Sequence, residues 1–268
     1  MGLNMLGSEA ARTEMARVLD VRLANIEGVN VEEDEGGFYK LSISECENGQ
    51  SRKAMEKVST ALSESIIEDM QIPILARLVN MRHGDLPQTT QARLLFEARK
   101  GLVAFLNTKK EKWLRELKKR LCTQLEENGE IVPEGFLLFR MKDILAEWEM
   151  AVERAYEELL IEKEYNEFIN LLRYFVELQK PKAREVHVLL DGVGGYLILD
   201  ENMKMMNCED FLIGEDAIRS EDALISSLIN IAPCYITIHA AKEKMPKVMD
   251  TINKVFTGRV KYEPDVRK

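Results

Sequence analysis

Two histidines stand where an imidazole could do chemistry. His187 falls in EVHVLL (residues 185–190) and His239 in CYITIH (residues 234–239), short runs whose alternation reads as β-strand. Val186, Val188 and Leu190 alternate with His187, and Ile236 and Ile238 alternate with His239, so each imidazole faces away from the most aliphatic side of its strand. If the strands are neighbours in suitable register, the imidazoles meet on one face. Cys234 or Cys208 is then the candidate third ligand of a zinc ion, which takes nitrogen and thiolate donors. The bland alternative is a pair of hydrogen-bonded histidines beside the core. No HExxH, GxSxG or SxxK accompanies them, and a serine nucleophile is not indicated. Ser226 and Ser227 lie inside an apolar helical run, where a hydroxyl normally bonds back to the backbone. The acidic group Glu215, Asp216, Glu221 and Asp222 reads as charge at a helix start, with Ser220 as the cap.

Gly192, Gly194 and Gly195 invite comparison with a phosphate-binding loop, but the third fingerprint glycine is replaced by Leu197 and a strand follows instead of a helix. A hairpin loop is the simpler reading. The largest charge asymmetry lies in KKEKWLRELKKR, residues 109–120. Lys109, Lys110, Lys112, Arg115, Lys118, Lys119 and Arg120 stand there against Glu111 and Glu116, with Trp113 among them. A basic helix with an aromatic can bind nucleic-acid phosphates, an acidic partner or a membrane surface. Residues 147–167 hold eight glutamates against Arg154 and Lys163. Antiparallel packing of the two helices would satisfy much of this charge internally.

The elements that must position these residues change character along the chain. Residues 8–26 read as a helix, followed by two extended runs at 29–31 and 38–43 around the acidic turn EEDEGG. Residues 45–50 are the first plausible boundary. Helical spacing then recurs at Met55, Val58, Leu62 and Ile66, again across residues 73–81, and again at Leu94, Ala98 and Leu102. It restarts after Thr108 with Trp113, Leu117, Leu121 and Leu125. Asn128-Gly129 is a stop signal. From Lys142 to Gln179 the larger apolar residues fall at Leu145, Trp148, Val152, Tyr156 and Leu159, then at Tyr165, Phe168, Leu172 and Phe175. An unbroken helix there would be about 57 Å long at about 1.5 Å per residue, so a bend or break is expected near residues 161–164, where the stripe shifts phase. Pro181 ends it. Beyond it the order is ββαβαβ, with Pro246 opening the last helix and Gly258 closing it.

Four blocks in this order carry a family resemblance: GFLLFRMKDIL (residues 135–145), EKEYNEFINLLRYFVELQKPK (162–182), EVHVLL (185–190) and LISSLINIAPCYITIH (224–239). Together they resemble the YtxC-like sporulation protein family of endospore-forming Firmicutes, firmly over the C-terminal half and by general layout over the first 130 residues. The resemblance implies a sporulation setting. It brings no catalytic or ligand residues with it.

The chain is long enough for one or two domains with a substantial core. A net charge of −9 argues against whole-protein affinity for nucleic acid or anionic membrane, and leaves a local basic face open. The cysteines Cys46, Cys122, Cys208 and Cys234 show no CxxC spacing and read as reduced thiols in a cytoplasmic protein. No stretch approaches the ~20 apolar residues of a membrane span, and Leu6 stands where a myristoylation signal wants Ser or Thr.

The expected architecture is mixed α/β (α+β): an αββ element over 1–45, a helical domain over 51–180 and an α/β domain over 183–268, whose sheet the N-terminal strands could join. The expected function is a non-enzymatic interaction or regulatory protein without a cofactor. It would bind a protein partner through the helical block, with homo-oligomerisation left open. The alternatives are a nucleic-acid-binding protein using residues 109–120, and behind it a metal-dependent enzyme around His187 and His239.

Overall fold

The computed structural model describes residues 21–23, 26–33, 39–44, 50–190, 195–206, 221–239 and 248–264. Most of the first helix, Gly192, Gly194, Cys46, Cys208, Glu215, Asp216, Ser220 and Pro246 lie outside the described residues. The protein is mixed α/β, and the chain divides into two compact units, Met1–Leu160 and Ile161–Lys268.

In the first unit, β1 (Val29–Glu33) and β2 (Tyr39–Ile43) form an antiparallel pair, followed by α1 (Gln50–Glu68), α2 (Gln71–His83) and α3 (Gln88–Asn128). Val58, Leu62 and Ile66 recur at helical steps and all are buried, which makes α1 amphipathic and fixes its inner side. Pro73 sits in the first turn of α2, where no backbone N–H is missed. Gly84 follows α2, and a Cβ there would collide with the Asn80 carbonyl oxygen, so any other residue would have to shift the backbone. The Gln91 amide donates to the carbonyls of Gly84 and Leu86, tying the start of α3 to this connector.

The expected restart after Thr108 is corrected by the structure, because α3 runs unbroken for 41 residues. The Thr108 hydroxyl donates to the Phe105 carbonyl at 2.7 Å, so the residue stays in the helix by returning its donor to the backbone. Gly129 ends α3 at φ 69°, its N–H donating to the Leu125 carbonyl, the left-handed stop expected from Asn128-Gly129.

That turn delivers β3 (Glu130–Ile131) to the open edge of β2, with Leu41 opposite Ile131 and Ser42 opposite Glu130. The N-terminal strands therefore build a three-stranded sheet, β1-β2-β3, and do not join the C-terminal sheet. A two-residue strand has no periodicity of its own, which is why the sequence concealed it. Next, α4 (Pro133–Arg140) buries Phe136 and Leu137 and breaks at Met141, where α5 (Lys142–Leu178) begins.

Of the bend or break expected at residues 161–164, the break is absent: α5 is a single helix of 37 residues. The phase shift has another cause. Residues up to 160 bury Leu145, Trp148, Val152 and Ala155 in the core of the first unit, whereas residues beyond 160 bury Ile169 and Val176 in the core of the second. The buried stripe moves around a continuous helix because its two halves belong to different cores.

The second unit continues with β4 (Glu185–Leu190), β5 (Tyr196–Asp200), α6 (Glu221–Ile231), β6 (Tyr235–His239), α7 (Val248–Val255) and β7 (Val260–Glu263), the expected ββαβαβ order. Strand order is β5-β4-β6-β7, with β5 antiparallel to β4 and the rest parallel. Val186, Val188, Ile236 and Ile238 form one face and pack into a core with Leu224 and Leu228 of α6 and Ile252 of α7.

Candidate interaction face and histidine pair

Residues 161–178 of α5 carry apolar side chains around more than half of the helix circumference. Tyr165, Ile169, Leu172 and Val176 recur at steps of four, three and four and pack into the core of the second unit. This side is anchored to α7: the Tyr165 hydroxyl meets the Thr251 hydroxyl at 2.9 Å, and Arg173 donates to the Lys254 carbonyl at 2.7 Å. Beside it runs a second line, Ile161, Phe168, Leu171, Phe175 and Leu178, flanked by Tyr174. Exposure along it runs from 49% at Phe175 to 65% at Ile161 and Leu178. Its steps of seven, three, four and three are those of a heptad seam, interrupted only by Glu164.

Phe168 and Phe175, which helical spacing sets on one side with Tyr165 and Leu172, are thus not part of the buried stripe. Ile169 and Val176 take that place, and the two aromatic rings look outward. Contiguous exposed apolar surface of this kind marks an interaction site.

The two histidines do meet. β4 and β6 are parallel neighbours with His187 opposite Thr237 and Leu189 opposite His239, so His187 and His239 are diagonal on the face away from α6 and α7. The His187 Nδ1 stands 3.0 Å from the His239 Nε2, with ring planes tilted by 34°. One nitrogen of this contact donates and the other accepts, the direction being set by the tautomers of the two rings. On the same face the Thr237 hydroxyl donates to Glu185 at 2.8 Å. His239 is buried, and its Nδ1 has no hydrogen-bond partner among the described residues.

Cys234 precedes β6 at the far end from His239, about 16 Å away at about 3.3 Å per residue. Among the described residues no group of three His, Cys, Asp or Glu side chains is placed to hold a metal ion. The third histidine, His83, stacks on Tyr156 and stands 3.5 Å from Glu153.

Residues 109–120 occupy the middle of α3. Lys109 lies over the Phe105 ring, and Arg115 donates to the Glu111 carbonyl. Lys110 meets Glu68 of α1 at 2.7 Å and holds that carboxyl below its usual range. Arg120 grips Asp143 through two bonds of 2.8 and 2.7 Å, also donating to the Arg140 carbonyl and pairing with Glu116. Trp113 is half-buried against the core.

The partners of this run are therefore Glu68 and Asp143 and not the glutamates of residues 147–167. Of those, Glu149 and Glu153 meet Arg82 and His83 of α2. Lys112, Lys118 and Lys119 are exposed and have no ion-pair partner among the described residues. Lys118 borders a groove of about 550 Å³ between α1 and α3, where Lys53 and Lys57 alternate with Glu56 and Glu64.

The Arg120–Asp143 clamp joins α3 to the α4–α5 junction and makes stability pH-dependent. Arg120 holds the Asp143 carboxyl below the usual carboxylate range. A depressed folded-state value contributes stability above the unfolded value of about 3.9, and that contribution is lost as pH falls through the folded one. Asp143→Asn is expected to cost about 1 kcal/mol at pH 7, a figure discounted for half-exposed charges. The difference from wild type should shrink on acidification below pH ~4, as read by urea denaturation at both pH values. A difference that persists in acid would mean that another interaction was removed.

No helix among the described residues is long and apolar enough to cross a membrane. No solved structure matches the chain. Over 141 residues it is 26% identical to the uncharacterized protein YtxC of Bacillus subtilis (strain 168), a stretch covering 52% of this chain and 50% of that relative, so it spans about half the length of the curated relative it matches. The profile of the YtxC-like family matches residues 56–261, from α1 through β7, and the chain belongs to that family.

Proposed function

We propose that this chain is a non-enzymatic interaction protein of sporulating cells, acting in the cytoplasm through the outward face of residues 161–178. The observation that carries this reading is the line of five apolar side chains from Ile161 to Leu178, each about half exposed or more, on a helix already anchored on its other side. An anchored helix loses little further conformational freedom on docking, which favours association. The sporulation setting is what the resemblance of the four sequence blocks implies.

The test is complementation of a deletion strain. Phe168→Ser combined with Leu171→Ser alters only exposed positions, so the helical signal and melting temperature should match wild type, while heat-resistant spore counts fall to the level of the deletion. Wild-type spore counts from this variant, or a deletion without a sporulation defect, would sink the reading.

A second reading rests on Lys112, Lys118 and Lys119, whose exposure without an ion pair among the described residues suits contact with phosphates. Glu56 and Glu64, interleaved with the lysines of the adjoining groove, weigh against it.

A further inference from the structure

We infer that the first occupant of this face is a second copy of the chain, paired antiparallel about a two-fold axis between Phe168 and Leu171. This rests on the docking reading above and names its partner.

The argument is the symmetry of the seam. Two antiparallel helices meet in layers whose residue numbers add to a constant, and first-position residues of one heptad seam face fourth-position residues of the other. Centred between residues 168 and 171, this register sets Phe168 against Leu171 of the second copy and Ile161 against Leu178, each layer occurring twice by symmetry. Every exposed apolar residue of the line finds an apolar counterpart in the partner copy, apart from Phe175, which meets Glu164. Shifting by one heptad leaves residues at both ends uncovered.

The polar residues choose the direction. Glu164 is exposed, with no ion pair among the described residues. In a parallel pair it would face its own copy across the seam, placing two carboxylates together. In the antiparallel pair it faces Phe175, whose ring edge is electropositive. The two Glu164 carboxylates are then separated by eleven residues of helix, about 16 Å at about 1.5 Å each.

On the flank, Glu167 comes within two residues, about 3 Å, of the level of Tyr174 of the second copy, where the phenol can donate to the carboxylate. Lys163, which lies 3.8 Å from Glu167 in the same helix, offsets its charge. The other flank is closed, since Tyr165 and Leu172 pack into the core.

The area is sufficient for a reversible dimer. Six side chains exposing roughly 100 Å² each give about 1,200 Å² over both copies, at the low end of standard-size interfaces. An interface of that size suits a concentration-dependent association, taken as about micromolar for choosing conditions.

The test is sedimentation equilibrium of the full chain from about 1 to about 100 µM, bracketing that range. The expected result is a mass that rises with concentration from 30.8 kDa towards twice that value. Leu171→Arg should remain at the monomer mass with an unchanged circular dichroism spectrum, because it places a charge in the central layer and disturbs no buried residue.

Direction is read by disulfide trapping and peptide mapping: Ile161→Cys protein mixed with Leu178→Cys protein should give a 161–178 link between copies, while Glu164→Cys alone should not link to itself. A monomer throughout, a Leu171→Arg protein that still dimerises, or efficient 164–164 linkage overturns the proposal. If the wild type is monomeric while the Phe168→Ser, Leu171→Ser variant still loses spores, self-pairing fails and docking to another partner stands. If the wild type dimerises through this face while that variant makes normal spores, self-pairing stands and the face has no role in sporulation.

Discussion

Replacing Trp148 by alanine is expected to destabilise the first unit by about 3–5 kcal/mol, the range for removing a fully buried large aromatic. Trp148 is among the largest side chains in the protein with almost no exposure, at 1%, and it sits in the core that also contains Leu145 and Val152 of α5. Truncation removes the transfer free energy of the indole and leaves a cavity that rigid helices fill only in part. Helical signal followed through a urea titration measures the loss as a lower midpoint with an unchanged slope. Phe96→Ala is the control: at 65% exposure it should shift stability by no more than about 0.5 kcal/mol. Equal effects from the two would mean that the helices bury a different face.

The corresponding change in the second unit is Ile238→Asp, expected to cost more than about 4 kcal/mol and to abolish the native sheet. Ile238 has no exposure and is paired in register with Val188 of β4 and Tyr262 of β7, on the face packed beneath α6 and α7. A carboxylate there has neither water nor a cation, so it must take up a proton or expel the strand. Amide hydrogen exchange reads the outcome as lost protection along β4, β6 and β7. Tyr235→Asp, at the half-exposed start of the same strand, should leave that protection in place. Protection retained in Ile238→Asp would disprove the assigned face.

Both predictions depend on faces that were legible in the sequence to different degrees. Val186, Val188, Ile236 and Ile238 alternate with Glu185, His187, Tyr235, Thr237 and His239, an alternation that only Leu189 interrupts. A strand offers only two faces, so the core side followed directly. The same parity put His187 and His239 on a common face. It could not say that β4 and β6 are parallel neighbours offset by two residues, which is what brings the imidazoles to 3.0 Å.

On residues 161–178 of α5 the pattern was ambiguous in another way. Ile161, Phe168, Ile169, Leu171, Leu172, Phe175 and Val176 spread over nearly half of the helix circumference, wider than one buried stripe, so periodicity could not rank Phe168 above Ile169. The basic run was legible as charge, but its partners were not. Arg120 reaches Asp143 and Lys110 reaches Glu68 because α3 lies against α1 and the α4–α5 junction.

What the sequence determined by itself was therefore local: the left-handed stop at Gly129, the ββαβαβ order after Pro181, the amphipathic side of α1, and the absence of catalytic signatures around the histidines. These follow from φ restrictions, strand parity and helix period, which act over a few residues. Tertiary structure alone decided that β3 joins the N-terminal strands, that α5 stays unbroken while its buried stripe turns, and that Phe168, Leu171 and Phe175 face outward. Each depends on which surface is already occupied by a distant element, and burial free energy is set by that competition rather than by any residue's own preference.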